Sequence, residues 1–182
     1  MDTRSKEYLA LIKGRTEKLK LRCLMPPASW DVDLAVCVRS EKLMGVVEEK
    51  LENGNFSEQY VIEGMKSMLF AKVVLYLLSY KTMDPPKIVY PLTQQTRNLL
   101  SKPQSNILKG LVFGSDDMKG LMEFQKEYRV QGLDDLLSFF IAEGLQSMGV
   151  AEVNEGLGMK GDFTEAEHEM IDKMIQEASW IA

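Results

Sequence analysis

Apolar residues recur along most of the chain at helical spacing. On a wheel of about 100° per residue, Tyr8, Ile12, Leu19 and Cys23 share one stripe, which predicts a first helix over residues 5–24. Pro26-Pro27 closes it. Val36, Leu43, Val47 and Leu51 share a face of a second helix over 31–52, with Ser29 as its cap and Asn53-Gly54 as a left-handed stop. A third starts at Ser57, where Phe56 can staple to Val61, and is apolar nearly all round from 61 to 80. Its pair Val73-Val74 would also suit a strand, but the start signal and the length favour a central helix.

Asp84-Pro85-Pro86 breaks the pattern, and residues 87–90 read as extended. Pro91 opens a short helix to about residue 100. Lys102-Pro103 breaks again, before a short helix over 104–113. Gly114-Ser115-Asp116-Asp117 is a stop, a cap and two first-turn acids, which predict a helix to about residue 130. Leu133, Leu137, Phe140 and Leu145 give the next its apolar side. Gly156, Gly158 and Gly161 mark a loop, and Thr164-Glu165-Ala166-Glu167 is a capping box for a last helix to about residue 180. The pattern thus predicts an all-α chain, a compact bundle of about seven or eight helices. It reads as one domain over residues 1–182, or as lobes 1–83 and 91–182 joined near 84–91.

Composition narrows the class without naming an activity. The chain has 182 residues, 45% hydrophobic and 27% charged, the proportions of a globular domain and not of a disordered or disulfide-rich chain. The first residues resemble no signal peptide. The most apolar run, residues 68–80, contains Lys72 and is shorter than the roughly 20 residues that span a bilayer. The expectation is a cytoplasmic or nuclear protein, neither secreted nor transmembrane, with no membrane partner. Cys23 and Cys37 read as buried thiols, with a disulfide between them as the alternative. Twelve methionines are an excess, and methionine suits irregular cores and adaptable surfaces.

Candidate chemistry is thin. His168, flanked by Glu167 and Glu169, is the only histidine, so zinc lacks ligands and a catalytic triad has little to draw on. Gly156-Leu157-Gly158-Met159-Lys160-Gly161 fits a dinucleotide fingerprint by letter, but no strand precedes it. Asp116-Asp117 and Asp134-Asp135 sit where helix starts want acids. No catalytic residue, metal site or cofactor is expected, and the chain reads as non-enzymatic.

Charge layout says more than its total of −5. Residues 1–25 carry seven basic and three acidic side chains, whereas residues 150–182 carry two basic and eight acidic. Lys13, Arg15, Lys18, Lys20 and Arg22 form the basic end, and Arg97, Lys102, Lys109 and Lys119 a second cluster. If both met on one face they would bind phosphates, which makes an RNA-binding helical protein, of the viral nucleoprotein or silencing-suppressor kind, the alternative function. On a helical wheel, however, the first cluster flanks the apolar stripe on both sides, as snorkelling cations do. In the last helix Met170, Ile171, Met174, Ile175, Ala178 and Ile181 share an arc of about 140°. Trp180 stands opposite, beside Lys173 and Glu177, and could anchor an interface. The first choice is therefore a protein-interaction or assembly protein that self-associates, its basic first helix and acidic last helix meeting within one molecule or, head to tail, between neighbouring ones. Trp180, Met170, Met174 and Ile181 are its candidate contact residues.

Overall fold

A computed structural model describes residues 3–88 and 98–145, together with positions 149, 152, 169 and 173. It opens on a short helix, α1 (Thr3–Leu11), whose Tyr8 is buried and donates its hydroxyl hydrogen to the Leu34 carbonyl at 2.7 Å. Beyond Gly14 the chain is a strand and not a continued helix. Residues 18–23 alternate a cation with an apolar side chain, and a two-residue period fits a pleated strand. In β1 (Lys18–Met25), Leu19, Leu21 and Cys23 are buried while Lys18 and Arg22 are exposed.

β2 (Pro27–Asp33) returns antiparallel, with Leu21 opposite Trp30 and Leu19 opposite Val32. The two prolines therefore turn a hairpin, and the Met25–Pro26 peptide is cis. β3 (Tyr60–Lys66) lies parallel along the other side of β1, giving the order β2-β1-β3. The all-α bundle is thus corrected to an α/β fold, helices around a three-stranded mixed sheet. Leu19 and Cys23 are four residues apart and satisfy a helical wheel as well as a strand. Leu21 between them, buried on the same face, belongs only to the strand.

The third predicted helix divides for a similar reason. Residues 60–66 are strand, in which Ile62 and Met65 are buried and Val61 is exposed. Gly64 has φ 71°, and the pairing with β1 shifts register between Cys23 and Met25. Gly64→Ala is expected to lower stability by about 1 kcal/mol, because the left-handed conformation disfavours a Cβ even where the space is open. Urea unfolding with an unchanged slope would read it. Helix α3 (Ser67–Ser79) follows directly, with Leu69, Phe70, Val73, Val74, Tyr76 and Leu77 buried.

Between β2 and β3 the chain makes a 3-10 helix (Leu34–Arg39) and then α2 (Glu41–Asn53). Ser40 caps α2 by accepting from the Leu43 amide, and Gly54 ends it with φ 65°, the stop that Asn53-Gly54 announces. α4 (Lys102–Leu108) opens on a capping box of Ser101 and Gln104, and Pro103 sits inside its first turn rather than breaking the chain. α5 (Asp116–Tyr128) is capped by Ser115, and α6 (Leu133–Leu145) has Asp134 and Asp135 in its first turn.

Buried side chains from residues 8–88 and 107–140 form one continuous core. α3 packs on β1, and an aromatic chain links β2, α3 and α5. Trp30 meets Phe70 edge to face at 5.2 Å, Phe70 meets Phe124 at 5.8 Å, and Phe124 stacks on Tyr128 at 4.1 Å. α5 packs beside β3 so closely that a Cβ on Gly120 would stand 3.1 Å from the Gly64 carbonyl oxygen.

Candidate protein-interaction surface

The end of the sheet where β1 turns into β2 gathers apolar side chains that the core does not take. Leu24 and Met25, at the hairpin tip, are 48% and 60% exposed. Met25 pairs with Lys66, and two residues further on Met68, in the first turn of α3, is 80% exposed. Lys66 forms a 2.7 Å ion pair with Asp117 at the start of α5, which brings the preceding loop to the same end. Val112 of that loop is 65% exposed. A further tie is the Lys72 ammonium, which donates to the Lys109 carbonyl at 2.5 Å and holds the loop along α3. Leu75, also exposed, continues the stripe up α3 on the side of Met68 and Lys72.

Three separate segments thus place Leu24, Met25, Met68 and Val112 at one end of the molecule. Contiguous apolar surface with a polar border marks interaction sites more often than scattered exposed residues do. Two of the four are methionines, whose flexible thioethers adapt to a partner's shape. Both signs of charge stand on the border: Lys66, Lys72 and Lys109 against Asp116 and Asp117.

The basic residues singled out in the sequence are dispersed. Lys13 is exposed beyond α1, and Arg15 is paired with Glu17 at 3.2 Å. Lys18, Lys20 and Arg22 lie on the outer face of β1, where the register sets Asp33 opposite Lys18 and Asp31 opposite Lys20. Glu63 of β3 is exposed on the same face. The three cations share that face with three acids, whose charges offset theirs. Lys102 and Lys109 flank α4, which packs against α3 on the core side of the sheet. The two clusters are therefore not one surface among the described residues. Residues 12–24 are not a helix, so no basic first helix of that length exists to meet an acidic one. Arg97, His168, Met170, Met174, Trp180 and Ile181 lie outside the described residues.

Reactive chemistry is sparse in the part described. Cys23 and Cys37 are free and fully buried. Burial pushes the Cys23 thiol up to about 11 and the Cys37 thiol up to about 12, so neither is an activated nucleophile at neutral pH. Burial likewise raises the Tyr8, Tyr76 and Tyr128 phenols, which stay neutral donors. No three His, Cys, Asp or Glu side chains converge on a metal site among the described residues. A depression of about 280 Å³ lies at the end of α2, lined by Glu49, Lys50, Asn53 and Tyr60 among others. Its lysine is already committed, donating to the carbonyls of Asn55 and Glu58. Among the described residues no helix is long and apolar enough to cross a membrane.

The chain matches no family model and no curated protein sequence.

Proposed function

We propose that this is a non-enzymatic interaction protein that self-associates through the apolar end of its sheet. The observation that carries the reading is that Leu24, Met25, Met68 and Val112, from three segments, are all exposed, and that the Met25–Lys66 pairing and the Lys66–Asp117 ion pair tie those segments to one end of the molecule. A second copy suits it as partner because the border holds both signs of charge. Under two-fold symmetry each copy offers Lys66, Lys72 and Lys109 together with Asp116 and Asp117, so a patch can face its own image with opposite charges in reach. Raised thiol pKa values and a surface depression whose lysine is already bonded support a binding role over a catalytic one.

Sedimentation velocity between about 1 and 100 µM tests the reading, since a dissociation constant in the tens of micromolar falls in that window. The full chain is expected to associate with rising concentration. Met25→Asp with Met68→Asp is expected to weaken association about 100-fold, because charges set into the centre of an apolar contact cost most. A monomer throughout, or a variant that associates like the parent, sinks the proposal.

A further inference from the structure

The patch just described carries a chemistry that its leucine and valine lack. Among the described residues, Met44, Met65 and Met118 are buried in the core at 3% exposure or less. Met25, Met68 and Met83 stand in solvent at 60% or more, and Met122 at 37%. Oxidation of a thioether follows its access to dissolved oxidant, so the core sulfurs are shielded and the exposed ones open. Two of the open sulfurs belong to the patch. Met68, at 80%, is the most exposed of its four residues, and Met25, at 60%, sits at the hairpin tip. Oxidant therefore reaches this surface without entering the core.

The reaction changes what such a residue contributes to a contact. The sulfur lone pair attacks one oxygen of hydrogen peroxide, the O–O bond breaks, and a sulfur–oxygen bond forms. The departing hydroxide takes the proton from the transferred hydroxyl and leaves as water. The sulfur loses two electrons and the peroxide gains them. A flexible apolar end becomes a polar sulfoxide with a strong acceptor oxygen. In a single copy water hydrates that oxygen. Between two copies it would be buried against Leu24 and Val112, which offer no side-chain donor, and an unmet polar group in an apolar contact is costly.

We propose that Met25 and Met68 are a paired oxidation site, at which a peroxide converts both thioethers to sulfoxides and releases self-association. This switch rests on the reading of the patch as the association surface. Contact between copies shields both sulfurs, so the reaction takes place on the free copy and draws the population toward it. A dithiol reductant reverses it, the sulfoxide oxygen leaving as water while the two thiols become a disulfide.

The test compares the full chain with Met25→Leu, Met68→Leu, which keeps the patch apolar and close in volume but leaves it nothing to oxidise. Both are treated with hydrogen peroxide at about 1 µM, where copies are apart, and then sedimented at up to about 100 µM. Every other methionine is common to the two proteins. Peroxide is expected to weaken association of the parent at least about tenfold and that of the leucine variant less than about twofold. Peptide mass spectrometry gives a second readout, with Met83, 62% exposed beyond the far end of α3, as internal reference. In the parent, Met25 and Met68 are expected to oxidise about threefold more slowly, relative to Met83, at about 100 µM than at about 1 µM. Equal loss of association in both proteins overturns the proposal, because another residue is then responsible. So does a ratio to Met83 that ignores concentration. A treated parent that associates like the untreated one overturns it too, and leaves association between copies standing. An untreated parent that stays monomeric defeats the association reading, and the switch with it.

Discussion

Arg39→Ala is expected to destabilise the protein by about 3–5 kcal/mol, the cavity left by a large buried side chain added to the acceptors left unpaired. Arg39 ends the 3-10 helix and is 1% exposed. Its Nε donates to the Tyr80 carbonyl at 2.6 Å, and its Nη1 to Asp84 Oδ1 and Gln131 Oε1, both at 2.5 Å. The Gln131 amide returns a bond to the Arg39 carbonyl at 2.8 Å. One side chain therefore ties the 3-10 helix, the end of α3, the Asp84 turn and the approach to α6. Alanine removes every donor at once and opens a cavity where the guanidinium stood. Arg39→Met restores volume without the donors and is expected to recover part of the loss, roughly 1–2 kcal/mol. The buried Nη2 finds no acceptor among the described residues, a cost that both variants remove. Urea unfolding at constant slope measures the difference, and a loss for Arg39→Ala below about 1 kcal/mol would contradict the assignment.

Phe70→Ala should be of similar size, about 4–5 kcal/mol. Phe70 is fully buried between the sheet and α5, with Trp30 on one side and Phe124 on the other, both edge to face. Truncation loses the transfer energy of the ring, leaves a cavity and cancels two aromatic contacts. At this chain length each kcal/mol moves the melting temperature by about 2–4 °C, so a drop on the order of 10–15 °C is expected. Phe70→Leu fills most of the space and should lose less than half as much. Equal losses for the two variants would show that the site collapses freely and that the aromatic chain contributes little.

The helix ends that were legible in the sequence are those set by local chemistry. Ser115 with Asp116 and Asp117 starts α5 where expected, and Gly54 stops α2, because caps act within one turn and need no tertiary context. The strands were harder. Leu19 and Cys23 fit two periods at once, and a wheel long enough to include Tyr8 and Ile12 favoured the helix. Leu21 and the glycine at 14 were the discriminating residues. At β3 the strand passes directly into α3, with Glu63, Gly64, Lys66 and Ser67 between the apolar residues of the two, and these polar positions also fit one face of a longer helix, so the junction is hidden.

The proposed interaction surface was less legible still, because it depends on register. Nothing local relates Met25 to Met68; the pairing of Met25 with Lys66 does. One signal was present. Lys72 is the lone charge within the apolar run 68–80, and it marks the outward side of α3. Counting four residues back and three forward from it finds Met68 and Leu75, the two most exposed apolar residues of that helix.

The sheet's order has a consequence for how copies of this chain avoid meeting wrongly. β2 is the outer strand of the hairpin, and an outer strand offers unpaired backbone groups to any neighbouring chain. Here that strand begins with Pro27, which has no amide hydrogen, and carries Asp31 and Asp33 in solvent. These devices discourage strand addition and the fibrous growth that follows it. β3, on the opposite side, has α5 pressed against it. Open-ended stacking through the sheet is thus obstructed on both sides, whereas the exposed Leu24 and Met25 at the hairpin end offer side chains and not unpaired backbone.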